Sequence, residues 1–105
     1  ITVKPGETIH GSSFYVYDCP TCQSGSINQI IVGIKNIGAQ ACIYNGGTSG
    51  NGAADFTLIA PMKPGTYAVR FRYAQANGCS DALAKWWNMD NPPPASSTVG
   101  EIIVK

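Results

Sequence analysis

The residues most suited to specific chemistry are four cysteines. Cys19-Pro20-Thr21-Cys22 has the C-x-x-C spacing of redox motifs, in which a thiolate at a helix N-terminus is acidified and reactive. Here the motif lies between two predicted strands, which favours a structural disulfide. A four-cysteine zinc site would need a second closely spaced pair, but Cys42 and Cys79 lie far apart. We therefore expect two disulfides and no metal.

The connectivity of the four cysteines is not fixed by their spacing, because four cysteines allow three pairings. A local bridge from Cys19 to Cys22, with a long one from Cys42 to Cys79, is the favoured pairing. A crossed pairing is the alternative.

Catalytic groups are sparse. His10 is the single histidine, and its neighbours Ser12 and Ser13 carry no catalytic motif. The six carboxylates form no recognisable pair, which glycoside hydrolysis would require. A nucleophile, a base and an orienting group cannot be assembled from these residues. The sequence thus predicts a protein that is not an enzyme and needs no cofactor.

Aromatic residues offer a binding hypothesis instead. Flat aromatic faces stack on the apolar faces of sugar rings, and neighbouring amides can bind the hydroxyl groups. Adjacent helical residues point about 100° apart, so one of two neighbouring tryptophans is expected in the core and the other outside. The candidate sugar-binding residues are Trp86, Trp87, Tyr15, Tyr17 and Tyr44.

The elements that must position these side chains are mostly strands. In residues 64–73 a Pro-Gly turn precedes Tyr67, Val69, Phe71 and Tyr73, which alternate with small or basic residues. This period of two predicts a half-buried strand. Similar patterns and turn signals predict about seven strands: 1–3, 8–17, 27–35, 41–44, one around Phe56 and Leu58, 67–74 and 99–104.

The same alternation predicts which side chains are buried. The expected core residues are Phe14, Val16, Phe56, Leu58, Tyr67, Val69 and Phe71, with Arg70 and Arg72 outside. Residues 45–52 are rich in Gly, Ser and Asn, and they predict a flexible loop that does not pack.

One segment departs from the strand pattern. Residues 80–87 begin with Ser80, carry Asp81 in the first turn and continue with helix formers, so they predict a short helix. Strands at this spacing without a regular βαβ rhythm predict an all-β fold. We expect one domain over residues 1–105, an antiparallel two-sheet sandwich of immunoglobulin-like or jelly-roll type stapled by disulfides.

Two segments resemble a known group of modules. Residues 3–9, Val-Lys-Pro-Gly-Glu-Thr-Ile, and residues 60–71 are similar to the first and sixth strands of bacterial extracellular immunoglobulin-like β-sandwich modules. In those modules a Pro-Gly-x-Tyr turn precedes a core strand. The resemblance implies an extracellular, non-catalytic role in adhesion, spacing, sugar binding or surface assembly.

Composition indicates the cellular location of the protein and excludes some classes of partner. Charged residues make up 12% of the chain, against about 25% in an average soluble domain, and the net charge is +1. No basic stripe is present, which excludes nucleic acid as an expected partner. No apolar run approaches the ~20 residues of a membrane span. Four cysteines and the low Lys and Glu content predict a secreted protein. The absence of Asn-x-Ser/Thr sequons favours a prokaryotic source.

Apolar runs in two predicted strands indicate a further partner. Residues 30–32 and 102–104 are continuously apolar, whereas a strand with one solvated face should alternate. Their second faces must be covered either by the short helix and the Pro-rich connection or by a neighbouring copy. We therefore expect a structural subunit that self-associates into an oligomer, filament or surface layer. The expected contact residues are Ile31 and Ile103, with Ile1 and Val3 at a sheet edge. A monomeric carbohydrate-binding module is the alternative, with polysaccharide as partner.

The predicted oxidation of all four cysteines can be tested directly. If all four cysteines are oxidised, the intact mass of the unreduced protein should lie four hydrogens below that of the reduced protein. Thiol titration of the native protein should detect no free sulfhydryl group. One or more reactive thiols in the native protein would contradict this prediction.

Overall fold

A computed structural model describes residues 1–34, 39–85 and 97–105. Seven strands and one helix lie in these ranges, and strands account for most of the described chain. The elements are β1 (Thr2–Val3), β2 (Thr8–Asp18), β3 (Asn28–Ile34), β4 (Gln40–Gly46), β5 (Ser49–Ile59), β6 (Gly65–Ala74), α1 (Cys79–Lys85) and β7 (Thr98–Val104). The all-β prediction with one short helix is confirmed.

The strands form two sheets. A five-stranded sheet has the order β1-β7-β6-β3-β4, and a two-stranded sheet joins β2 to β5. All pairs are antiparallel except that of β1 with β7, in which Thr2 is opposite Ile103 and the strands are parallel. The expectation of a wholly antiparallel fold was therefore wrong at this edge.

The segment predicted as a flexible loop, residues 45–52, belongs mostly to two strands. β4 continues to Gly46 and β5 begins at Ser49, so only two residues separate the strands. The Gly-rich composition of the segment suggested a loop, but its residues alternate. Gly50, Gly52 and Ala54 are partly buried, whereas Asn51, Ala53 and Asp55 are exposed. The small residues belong to the inner face of a strand.

The two sheets meet in one apolar core. Ile9 and Leu58 from the two-stranded sheet pack with Val69 and Ile102 from the larger sheet. Phe56 and Tyr67 are partly buried against this cluster, and Leu58 and Val69 are fully buried, as predicted. Phe71 is only partly buried. Arg70 and Arg72 alternate with the inward residues but are themselves partly buried rather than fully outside.

The predicted register of β2 was off by one residue. Phe14 and Val16 were expected inside, but both are exposed, whereas Ile9 and Tyr17 are buried. Tyr15 and Tyr17 lie opposite Gly52 and Gly50 in the ladder. Large rings on β2 therefore face positions on β5 that have no side chain, which fixes this face as the inner one.

Helix α1 covers part of the other face of the large sheet. Ile31 has 0% exposure and packs with Ala74, Ala76 and Ala82, with Leu83 against the same cluster. Ile31 was expected to be buried either by the short helix of its own chain or by a neighbouring copy, and the structure shows the helix. The disulfide from Cys42 to Cys79 joins β4 to the start of this helix, and Cys19 is bonded to Cys22. The favoured pairing is thus the one in the structure.

A buried amide holds the segment that leads into α1. Gln29 has no exposed surface, and its Nε2 donates to Asn45 Oδ1 at 3.0 Å and to Ala76 O at 2.9 Å. Ala76 N donates back to Gln29 Oε1 at 2.8 Å. These bonds satisfy both backbone groups of Ala76, which is itself buried. One side chain thereby fixes the entry to the helix.

We predict that Gln29→Leu destabilises the fold by about 2–4 kcal/mol, because it leaves the amide and carbonyl of Ala76 buried without these partners. Denaturant unfolding of the oxidised protein measures this difference. Gln23→Leu is the matched control, because Gln23 is exposed, and its effect should stay within about 0.5 kcal/mol. Equal stability of the two variants would show that the buried amide does not hold this segment.

Candidate functional site

An aromatic cluster connects the two sheets near the ends of β2, β4 and β6. The rings of Tyr15 and Tyr17 each have their centroid 5.3 Å from that of Tyr44. Tyr17 also meets Tyr73 edge-on at 5.3 Å, and Tyr73 meets Phe71 at 5.6 Å. These separations are those of favourable aromatic pairs, so the cluster is a continuous packing unit.

Two glycines make room for these rings. A Cβ atom on Gly50 would lie 2.9 Å from the Tyr44 ring, and one on Gly52 would lie 3.0 Å from Tyr15 Oη. Real Cβ contacts are longer, so larger residues at either position would displace a ring. The Tyr44 hydroxyl also donates to Gly47 O at 3.0 Å, which ties the cluster to the turn between β4 and β5.

The predicted sugar-binding tyrosines come together, but they do not form an open platform. Tyr17 is buried, and its ring stacks on Tyr44 at an interplanar angle of 20°. Tyr15 and Tyr44 are only partly exposed. These rings use much of their surface on one another. Trp86 and Trp87 lie outside the described residues.

A cavity of about 210 Å³ lies beside the aromatic cluster, between the two sheets. The five-stranded sheet supplies its walls, Ile30, Val32, Ile43 and Phe71. Ile30 and Val32 are buried, and no charged residue of the described ranges lines the cavity. Residues 13–16 of β2 line its opposite side. Among the described residues, the two sheets thus leave a gap between them at this end.

The opening of the cavity is apolar. We call Phe14, Val16, Tyr73 and Val99 the apolar rim, because all four line the cavity and are exposed. Phe14 is 89% exposed and Val16 72%, while Tyr73 and Val99 are about half exposed. Eight large apolar residues are exposed in the described part of the chain, and four of them belong to this rim. Such clustering marks an interaction surface or a ligand groove.

The apolar rim was missed by the sequence analysis, although β2 carried a signal. Phe14 and Val16 alternate with Tyr15 and Tyr17, so β2 is apolar on both faces. Only one set can face the core of the same chain. Phe14 and Val16 were predicted to be that set, whereas Tyr15 and Tyr17 occupy the inner face and leave Phe14 and Val16 exposed.

The four residues predicted for self-association differ in how much of their side chains is exposed. Ile31 and Val3 are buried within the chain, so they are not available to a neighbouring copy. Ile103 is partly buried and lies opposite Thr2 in the β1–β7 pair. Ile1 is exposed at the edge of the large sheet. Of the four predicted contact residues, Ile1 alone presents most of its side chain to solvent.

The histidine and the nearby serines predicted to lack a catalytic motif lie on the two-stranded sheet. His10 lies opposite Thr57, and Ser12 lies opposite Asp55, on the exposed face of the two-stranded sheet. No group of three His, Cys, Asp or Glu side chains in residues 1–34, 39–85 and 97–105 is placed to hold a metal. The Cys19–Cys22 bridge is contacted by Gln75, whose Nε2 lies 3.1 Å from Cys22 Sγ.

Comparisons with protein-family models, with curated proteins and with solved structures found no match to this chain. Within the described residues, no helix has the length and apolar character needed to span a membrane.

The aromatic cluster predicts a pH dependence. Burial raises the pKa of Tyr17 above its ordinary value of 10.0, and the neighbouring Tyr44 and Tyr73 raise it further. The fold therefore favours the neutral phenol. This contribution to stability is complete below the unfolded pKa and is lost as the pH rises through the higher folded pKa.

We predict that Tyr17→Phe, which cannot ionise, loses less stability than the unsubstituted protein between pH 8 and pH 11. Urea unfolding at several pH values in this range measures the difference. The same two proteins compared below pH 8 serve as control, because neither side chain is charged there. Parallel loss of stability in both proteins would contradict the prediction.

Proposed function

We propose that the protein is a non-catalytic extracellular structural subunit that self-associates through the apolar rim. The observation that carries the proposal is the concentration of exposed apolar side chains around one cavity opening. This surface replaces the contact first expected at Ile31 and Ile103. An immunoglobulin-like sandwich, secretion and a prokaryotic source are parts of the same proposal. The two disulfides support it, because such bonds persist in oxidising compartments.

The energetics of the rim support association. Full burial of one large apolar side chain contributes about 1.5–3 kcal/mol. Each copy offers four such side chains, and Phe14 and Val16 are mostly exposed. Association costs about 4–15 kcal/mol in lost freedom, so burial of the rims of two copies can exceed the lower part of that range.

Two further features favour contact between copies. The net charge of +1 produces little repulsion between identical chains. Strand β2 pairs only with β5 within the described residues, and it contains neither lysine nor proline. Those residues commonly protect a strand edge from pairing with another chain. The edge of β2 thus carries neither of these two protective residues.

Carbohydrate binding is the second candidate function, and one observation favours it. A shallow depression lined by Tyr73, Asp18 and Gln75 lies next to the aromatic cluster. It combines a half-exposed ring with a carboxylate and an amide, which are the groups that bind sugars. This site would use Tyr73 rather than the buried face of Tyr17.

We predict that the unsubstituted protein increases in mass with concentration in sedimentation velocity, and that Val16→Lys prevents this by placing a charge in the contact. Ile59→Lys is the matched control, because Ile59 is also exposed on the two-stranded sheet but does not line the rim cavity. Circular dichroism checks that both variants fold. A monomer at all concentrations up to the millimolar range would contradict the proposal and favour the sugar-binding module.

A further inference from the structure

We propose that two copies associate by exchanging Phe14 side chains, each ring entering the inter-sheet cavity of the other copy. This inference rests on the self-association proposed above and specifies its partner and geometry. It assigns Phe14 as the inserting group and Ile30, Val32, Ile43 and Phe71 as the walls of the receiving site.

Phe14 has the form of an inserting group. It is the most exposed large apolar residue in the described chain, at 89%. Its partner across the β2–β5 ladder is Ala53, whose methyl group is too small to cover a ring. The phenyl ring therefore extends from a strand that holds its backbone in place. Aromatic residues of this kind dominate the binding energy of many interfaces.

The cavity has the size and character of a phenyl site. Its volume is about 210 Å³, and an apolar cavity of about 150 Å³ is known to accept benzene. Its lining is aliphatic or aromatic apart from Ser13, and none of the described residues that line it is charged. A phenyl ring from another copy would gain packing contacts with these walls, and its edge would lie beside Ser13 and the tyrosines that also line the cavity.

The positions of the two features define the symmetry. Phe14 lines the opening of the cavity in its own chain, so the inserting group and the receiving site lie on one surface. When the inserting group and its site share a surface, two copies can satisfy each other at once about a two-fold axis. The contact then closes on itself. The structure accordingly favours a dimer over a filament as the product of this contact.

The test uses two complementary variants. Phe14→Ser removes the inserting ring but leaves the cavity, whereas Val32→Phe fills the cavity but leaves Phe14. Ile43→Phe, at a partly buried wall position, is a second filling variant in case Val32→Phe does not fold. Met62→Ser is the control, because Met62 is exposed but does not line this cavity. Circular dichroism and thermal melting confirm the fold of each protein.

Sedimentation equilibrium should show dimers for the unsubstituted protein and for Met62→Ser. Phe14→Ser and the filling variant should each raise the dimer dissociation constant by about 100-fold or more. An equimolar mixture of Phe14→Ser with the filling variant should form heterodimers more tightly than either variant alone dimerises. In that mixture one intact ring meets one intact cavity.

Benzene tests the receiving cavity independently of association between copies. Benzene added to monomeric Phe14→Ser should shift the methyl resonances of Val32 and Ile43, and in the filling variant it should not shift the resonance of Ile30. An oligomer of the unsubstituted protein that persists in Phe14→Ser, or a mixture that does not associate, would overturn the exchange of Phe14 while leaving self-association intact. A monomeric unsubstituted protein would overturn both proposals.

Discussion

The structure depends on the contact between tyrosine rings and strand positions that have no side chain. Gly50 and Gly52 lie opposite Tyr17 and Tyr15 in the β2–β5 ladder, and Cβ atoms there would meet the rings of Tyr44 and Tyr15. Because β2 is paired with β5 in this register, Tyr15 and Tyr17 must face the larger sheet. The same register places Phe14 and Val16 on the opposite face. The exposed apolar rim is thus a consequence of the way the two sheets are joined.

The core is unevenly filled along the strands. At one end, Ile9 and Leu58 pack with aliphatic residues of four strands of the large sheet in a continuous cluster. At the other end, the tyrosines pack mainly on one another, and a cavity is left beside them. The candidate site therefore lies at the aromatic end of the core.

The covalent and polar constraints act on the other side of the large sheet. The Cys42–Cys79 bridge and the buried Gln29 amide both hold the entry to α1, and the helix then covers Ile31. This cover removes the need for a neighbouring copy on that face. The exposed apolar rim lies elsewhere, where β2 of the two-stranded sheet meets Tyr73 and Val99 of the large sheet. Self-association at the rim and stability of the helix thus involve different parts of the molecule, which allows each to be changed separately.

By itself the sequence determined the class of fold, because alternation in β6 and the helix-forming residues around Asp81 are local signals with local causes. It also identified the four cysteines as two structural bridges, since their spacing and setting fit neither a redox centre nor a zinc site. It could not decide which face of β2 is inner, since both faces are apolar and the choice depends on the glycines of a strand far away in sequence. Those glycines predict a loop from the sequence, because glycine between polar residues has the same local pattern in a loop and in a strand of this kind. Only the tertiary structure decided three other features. They are the burial of Ile31 under α1, the parallel pairing of β1 with β7, and the cavity with its apolar rim. Each requires contacts between segments that are far apart in sequence, which no local pattern can predict.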